Sequence, residues 1–544
     1  MPPLRQHSTC TSGAATRLGT LCSHLAPPSR HRRSGGGRGG GGGSAPGCVS
    51  AQPRALSSVA EEALVIDVFV DFRSIDCYLA LDPIFHCLQG CRLRWHCSGA
   101  RTKMAVPVGM LREGSGDAQK QAYQLRVHRT YAALRGLTLD VPQGPLEVSI
   151  LEEALAYVAR REAPEVTERF LRRAFSAVFG SEGGGGGGRG GAGEALRLGP
   201  EEVGAIVKEC GGCAAAFVAW RTSGDSAMEA READRELAEK LGVWSTPYVV
   251  DPSTEEPFIG ETTLPLLALQ LRRSGRLKAS LAPGACDELP VAPRQPPPAP
   301  SAAVTPAGSR RRVEVYVDLK SPYAFLAIEP TYALQEDFDV ELVWRPYVLD
   351  IAGFLGSAEV GAQDNKVRQG TNERSPGQWR AVKYAYANVR RYAAERRPPL
   401  TVYGTRKIWD TSLAGIAMLF AERRGRLRDF QQRLWPSFWR RDLDAEDLGT
   451  LAAVLRASGV DTAGFEEFVA GDGRRELMEI QEEATRRGIF GVPSYVLDGE
   501  MFFGREHLAL LRLRLFEAGC ATRTDPAILA APYLSARNEL FAGF

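Results

Sequence analysis

Long apolar runs are missing from this chain of 544 residues. No stretch of about 18 apolar residues occurs, so no helical membrane span is expected. An excess of one charge is missing as well: 67 Lys and Arg stand against 65 Asp and Glu, a formal net charge of +2. That balance gives no electrostatic case for a nucleic-acid partner. The eleven cysteines do not form a regular framework; Cys10, Cys22 and Cys48 precede the first apolar segment and most others stand singly. Scattered thiols argue for a reducing compartment. The only C-x-x-C is Cys210-Gly211-Gly212-Cys213, at a helix-to-helix turn, and no second pair or His pair accompanies it. No metal site is expected from it.

Acidic residues are absent from positions 1–60, which hold seven Arg and three His; the first acid is Glu61. An acid-free, Arg- and Ser-rich leader without a continuous apolar core has the composition of an organellar transit peptide rather than of a secretory signal. Arg54-Ala55-Leu56-Ser57-Ser58 resembles a mitochondrial processing site, so the mitochondrial matrix is expected, with the plastid as the alternative. A low-complexity tail is the competing reading, and the tract Gly35–Gly43 is a spacer.

What is present is a pattern that occurs twice. LVIDVFVDF from Leu64 reads as a buried strand, followed by Ser74-Ile75-Asp76-Cys77 and a helix; RLRWHC after Cys91 reads as a second strand. Helical segments follow at 119–134, 151–179 (interrupted near Pro164), 200–220 and 227–241, with a Gly-rich surface insertion at 182–193. Trp244-Ser245-Thr246-Pro247 then leads into an apolar strand, and a last helix spans 264–273. Residues 279–311, with Pro296-Pro297-Pro298, read as a semi-extended linker. The same order returns from Arg312: strand, Ser321 turn, helix, strand VELVW, a long helical middle, Gly491-Val492-Pro493-Ser494 with a strand, and a helix over 506–516. Ser74 and Pro247 are 173 positions apart, and Ser321 and Pro493 are 172 apart; Trp95 and Trp344 fall at similar places. Matched spacing on this scale predicts an internal duplication.

Within it, Val313–Ala327 is the stretch of most interest. An alternating apolar run, a polar turn and a helix with Pro322 in its first turn place Ser321 at a helix N-terminus. Unpaired N–H groups and the helix dipole there would stabilise a thiolate, phosphate or carboxylate beside the Ser321 hydroxyl. An N-cap without a ligand is the bland alternative.

Asp318-Leu319-Lys320-Ser321-Pro322-Tyr323-Ala324-Phe325-Leu326, Trp344-Arg345-Pro346, Gly488-Ile489-Phe490-Gly491-Val492-Pro493-Ser494 and Phe503-Gly504 occur in this order. Together they resemble the kappa-class glutathione transferases and the bacterial 2-hydroxychromene-2-carboxylate isomerases, relatives of the disulfide oxidoreductase DsbA. The resemblance implies an α/β fold class of two tandem thioredoxin-like domains, each with an inserted helical subdomain. The domains it implies are a leader at 1–60, a degenerate domain at 63–278, the linker at 279–311, a glutathione-binding domain at 312–518 and an extension at 519–544. It also implies a cis proline at Pro493 and glutathione as cofactor or co-substrate. Ser321 would then hold the glutathione sulfur as thiolate, with Pro322 and Tyr323 beside it. Val492 would pair its backbone with the cysteinyl part, just before Pro493. Asn372, twelve residues before Tyr384, stands where the family has a glutathione-contacting Asn. Glu506, after Gly504-Arg505, stands where the family has an acid for the γ-glutamyl amine. Arg505 replaces a small polar residue, and Arg374-Ser375 replaces a double Pro. The second substrate is expected to be a small electrophilic or conjugated compound.

The first half keeps Ser74 and Thr246-Pro247, but Ile75-Asp76 replaces Pro-Tyr and His96-Cys97 replaces Arg-Pro. Asp76 would repel an anion at the helix tip. This half is expected to serve as a degenerate partner, packed against the second in an intramolecular pseudo-dimer; a homodimer of whole chains is the alternative. Two other functions stay open: a thiol–disulfide oxidoreductase using Cys210 and Cys213, and a non-catalytic peptide- or thiol-binding protein. Trp379, Tyr384, Tyr386 and Tyr392 are expected in the core rather than in a substrate box, and His507 at the surface.

Overall fold

The computed structural model describes residues 63–98, 118–142, 144–180, 196–223, 225–277, 310–361, 366–368, 370–396 and 398–522. The expected leader, the Gly-rich insertion and the linker up to residue 309 lie outside these residues, as does the extension beyond residue 522.

In the first half, β1 (Val65–Val70) is followed by α1 (Ile75–Cys87) and β2 (Arg92–Cys97), which pairs with β1 in parallel. Helices α2 (Ala118–Leu134), α3 (Ser149–Arg161), α4 (Pro164–Phe179), α5 (Pro200–Glu209), α6 (Ala214–Thr222) and α7 (Asp225–Leu241) then intervene. The chain returns to the sheet as β3 (Tyr248–Val250) and β4 (Pro257–Ile259), and closes with α8 (Leu264–Arg273). The strand order is β2-β1-β3-β4, with β3 antiparallel to both neighbours.

The second half has the same plan. Strand β5 (Arg311–Val317) leads into α9 (Pro322–Tyr332), the short α10 (Leu334–Asp337) and the parallel strand β6 (Val340–Pro346). The helical middle comprises α11 (Ile351–Leu355), α12 (Pro376–Glu395), α13 (Ser412–Arg423), α14 (Leu427–Trp439), α15 (Leu448–Ala457), α16 (Phe465–Ala470) and α17 (Asp472–Arg486). Strands β7 (Ser494–Leu497) and β8 (Glu500–Phe503) and helix α18 (Leu508–Glu517) complete it. The order β6-β5-β7-β8 repeats that of the first sheet, and Trp95 and Trp344 share a register, opposite Val68 and Val315.

Strand β5 shows why this sequence forms a central strand. Val313, Val315, Tyr316 and Val317 are all buried, whereas Arg312 is exposed at the edge of the layer. β-branched residues on both faces suit a strand covered on both sides. Helix α9 is apolar nearly all round, with Phe325, Leu326 and Ile328 buried, because it lies between the sheet and the helical middle. Phe325 stacks between Trp435 and Trp439 of α14, at ring separations of 6.2 and 6.4 Å.

Two readings of the sequence need correction, one is met, and two strands were not read. The last helix does not begin at Glu506: Arg505–His507 form a 3₁₀ turn and the α-helix starts at Leu508. The segment 200–220 divides into two helices at the Cys210–Cys213 turn, as expected, with Gly211 at φ +86°. Strands β4 and β8 are too short for periodicity to reveal. Residues 519–522 belong to the second half, since the Asp339 amide bonds the Cys520 carbonyl and Ala521 bridges to Phe338.

Candidate functional site

Ser321 caps α9, with φ −88° and ψ 112°, and its Oγ accepts a hydrogen bond from the Ala324 amide at 3.2 Å. Pro322 follows at the first helical position, where its missing N–H leaves nothing unsatisfied. The Ser321 hydroxyl donates to the Val492 carbonyl at 3.3 Å, across 171 positions of sequence. The helix tip and the Val492–Pro493 turn are therefore brought together, as expected, and the Val492–Pro493 peptide bond is cis. Ser321 is 5 % exposed, as is Val492. The Val492 amide donates no hydrogen bond among the described residues, so a buried backbone donor stands beside the capping hydroxyl. This is the arrangement that would receive an extended peptide-like ligand with a thiolate.

The turn ahead of the helix is also tied down. Buried Asp318 accepts from the Leu349 amide at 2.7 Å, the Thr411 hydroxyl at 2.6 Å and the Lys320 amide at 3.2 Å. Burial raises its pKa, and Lys320 pulls in the other direction. The Lys320 ammonium is 3.5 Å from Asp318 and donates to the Trp409 carbonyl at 3.2 Å. Beside the cap, Tyr323 is half-buried and its hydroxyl accepts from Asn388 of α12 at 3.5 Å. Loss of solvent pushes its pKa up to about 12, so it stays a neutral phenol.

Arg505 and Glu506 lie on the turn after β8, which reaches the site through a bond from the Gly504 amide to the Pro493 carbonyl at 2.8 Å. Arg505 is 5 % exposed, with its guanidinium 3.7 Å above the Tyr392 ring. Desolvation raises the pKa of Glu506, and neighbouring Arg505 opposes that shift. Asn372 is exposed, and its side-chain oxygen accepts from Trp379 Nε1 at 2.9 Å and from the Arg374 amide at 3.2 Å. His507 is half-buried between the halves rather than at the surface, and burial drives its pKa down to about 4. Of the four aromatics expected in the core, Tyr392 is 4 % exposed and fits; Trp379, Tyr384 and Tyr386 are half-buried.

The first half places Ser74 in the same way, at the N-cap of α1, accepting from the Cys77 amide at 3.3 Å, and the Thr246–Pro247 bond is also cis. Around the cap the chemistry differs. Asp76 pairs with His128 of α2 at 2.9 Å. Burial would depress that imidazole, but Asp76 outweighs it and the His128 pKa is raised. Cys77 is fully buried and desolvation pushes its thiol up to about 12. Cys213 is exposed and Cys210 buried. Among the described residues no group of His, Cys, Asp and Glu is arranged to hold a metal ion. No helix there is long and apolar enough to cross a membrane.

Residues 312–516, with the helix tip and the Pro493 turn inside them, match the family model described as a DSBA-like thioredoxin domain. The second half is a DsbA-like thioredoxin domain. Relatives of this part of the chain include the 2-hydroxychromene-2-carboxylate isomerase of Sphingobium xenophagum, 23% identical over 208 residues, which are 38% of this chain and 99% of the relative. The enzyme of the same name from Pseudomonas sp. (strain C18) is 24% identical over 207 residues, 37% of this chain and 87% of the relative. Solved structures that align include a probable DsbA oxidoreductase from Streptomyces coelicolor, at 19% identity and TM-score 0.31, covering 40% of this chain and 92% of that one. A 2-hydroxychromene-2-carboxylate isomerase structure aligns at 23% identity and TM-score 0.27, covering 37% and 92%. The DsbA-like domain thus keeps a serine, not a cysteine, at its helix tip.

Proposed function

We propose that the DsbA-like domain binds glutathione and acts as a glutathione-dependent isomerase or transferase. The observation that carries this reading is the capping hydroxyl of Ser321, 3.3 Å from the carbonyl of Val492 and beside that residue's amide, which is unpaired among the described residues. The residues present suit the tripeptide: a hydroxyl and a helix N-terminus for the sulfur, a backbone strip at Val492, and Arg505 and Glu506 for the charged γ-glutamyl end. Asn372 would join only if its bond to Trp379 were exchanged for the ligand. Bound glutathione would supply the sulfur nucleophile, which the domain's own serine does not replace. Ser321 acts as an orienting donor; its charge-assisted hydrogen bond contributes about 1.5–3 kcal/mol. The α9 N-terminus adds about 0.3–1 kcal/mol for an anion placed there. Neutral Tyr323 beside the cap can donate a hydrogen bond to a developing negative charge on the second substrate.

On this reading the chain is a tandem duplication, with the first half in the place of a partner subunit, and the leader directs it to the mitochondrial matrix. Calorimetric titration of the full chain with glutathione tests the site. Binding that is lost in Ser321→Ala supports it, and no binding to the unaltered chain rejects it. A thiol–disulfide oxidoreductase is the second reading, favoured by the exposed Cys213 next to buried Cys210. It predicts insulin-reducing activity that disappears in Cys213→Ser and survives Ser321→Ala.

A further inference from the structure

The two halves cover each other's open sheet edges through one repeated device. Strand β8 is an edge strand, and its last residue, Phe503, presents both backbone groups outward. Tyr123 on α2 of the first half takes both: its hydroxyl accepts from the Phe503 amide at 2.7 Å and donates to the Phe503 carbonyl at 3.4 Å. In the reverse direction, Tyr384 on α12 takes both backbone groups of Ile259, the last residue of edge strand β4, at 2.8 and 3.5 Å. Pairing an edge in this way satisfies polar groups that would otherwise be buried unpaired.

The two clamps hold turns of different content. Beyond Ile259 comes Gly260-Glu261-Thr262, whose Glu261 is already taken by Arg135 in a two-point ion pair at 2.7 and 2.9 Å. Beyond Phe503 comes Gly504-Arg505-Glu506, the turn that bonds the Pro493 carbonyl beside Ser321. Helix α2 holds the same edge at two further points: Arg126 pairs with Glu500, the first residue of β8, at 2.6 Å, and Tyr131 meets His507 Nδ1, at the end of the turn, at 2.8 Å. The Tyr123 ring also packs edge-on against Phe490 and Phe503, at 5.4 and 6.5 Å. Phe503 in turn leaves no room for a side chain at Gly491, since a Cβ there would meet its ring at 2.6 Å. Tyr123 therefore touches the two segments that frame the Val492–Pro493 turn, and it comes from the other half of the chain.

We propose that Tyr123 is a positioning residue for the second half's site: by holding both backbone groups of Phe503, it sets the Gly504–His507 turn that presents Arg505 and Glu506 to the ligand at Ser321. This rests on the glutathione reading above. It assigns the first half a role that requires no ligand of its own, which is to complete the neighbouring site as a second subunit would.

The test uses the full chain and two matched substitutions. Tyr123→Phe removes the two bonds at Phe503 and keeps the ring; Tyr384→Phe removes the equivalent two at Ile259. Loss of a pair of such bonds is expected to raise the glutathione Kd about ten-fold in Tyr123→Phe, with kcat changed less than KM, and to leave it within about two-fold in Tyr384→Phe. Amide exchange should quicken at Phe503–Glu506 in the first variant and at Ile259–Thr262 in the second. An unchanged glutathione Kd in a folded Tyr123→Phe, or an equal loss in both variants, overturns the inference. Absence of glutathione binding in the unaltered chain instead overturns the functional reading on which it rests. If Tyr123→Phe does not fold, Tyr131→Phe, which removes the bond to His507 at the end of the same turn, is expected to raise the Kd in the same direction, and no rise overturns the inference.

Discussion

Two helix tips in this chain share a capping serine and a cis proline turn, and they differ in the next two residues. After Ser321 come Pro322 and Tyr323; after Ser74 come Ile75 and Asp76. In both, the second of these residues is tied to the first long helix of the helical middle, Tyr323 to Asn388 and Asp76 to His128. One tip therefore carries neutral hydrogen-bonding groups, and the other an ion pair. A carboxylate within a few ångströms of a thiolate disfavours it, and His128 offsets only part of that. The frame is thus common to both halves, while on the proposed function the capacity to hold a thiolate depends on two side chains.

The largest expected effect follows directly. Ser321→Ala should lower turnover with glutathione by on the order of 100-fold, as loss of one oriented donor does in other sites, while Ser74→Ala leaves it unchanged; equal losses in kinetic assays of the two variants would break the comparison. Next, Tyr323→Asp copies the first tip onto the second. One nearby carboxylate should raise the pKa of bound thiol by about one unit, or about 1.4 kcal/mol. Ultraviolet titration of the thiolate band checks this, and an unmoved midpoint would show that the second residue does not decide the matter.

A smaller difference concerns pH. In the first half buried Asp67 and Asp234 flank His96, each at 2.9 Å, whereas in the second half Glu314 and Arg345 stand at the positions of Asp67 and His96, and Glu314 pairs also with Arg487. Burial would lower the His96 pKa, but bonds to Asp234 and Asp67 win and it is raised above 6.5. A raised folded-state pKa means that its stabilisation is complete below about pH 6.5 and is lost as pH rises through the folded value. Asp67 resists burial through His96 and Arg94 and is lowered below 3.8, so its share is present above about pH 3.8 and lost as pH falls through the folded value. The melting temperature should therefore fall by a few degrees above pH 6.5, and His96→Gln should reduce that slope to the share left by His128, whose pKa is also raised. Arg345→Gln should leave the slope in place, since arginine does not titrate in this range. The smallest effect is chemical labelling. At pH 8 Cys213 should react with a thiol reagent well before Cys77, whose thiol is buried and pushed up to about 12.

Much of the frame was legible before any coordinates. The alternating apolar run Val313–Val317 and the Ser-Pro-Tyr start gave β5 and α9, because strand periodicity and helix capping are local properties. The resemblance to thioredoxin-like proteins put Pro493 beside Ser321, and the matched spacing marked Ser74 and Pro247 as their counterparts. The short edge strands β4 and β8 were not legible, since three or four residues carry too little periodicity. Asn372, placed by spacing from Tyr384, sits instead with its carboxamide bonded to Trp379. His507, read as a surface residue, faces Tyr131 across the contact between the halves. Lys320 stood inside the quoted motif, but its pairing with Asp318 and Trp409 needed the fold. Nothing in the sequence around Tyr123 marks its bonds to Phe503, 380 positions away.

The sequence by itself determined the strand and helix that meet at Ser321 and the loss of Pro-Tyr at the first tip. Those are short-range properties, set by capping, periodicity and the side chains next to the cap. Only the tertiary structure decided which groups surround the tip: the carbonyl of Val492, the buried Asp318–Lys320 pair, Asn388 above Tyr323, and Tyr123 reaching over from the other half. These contacts join residues far apart in the chain, and their formation depends on burial and packing of whole elements, which no local pattern encodes.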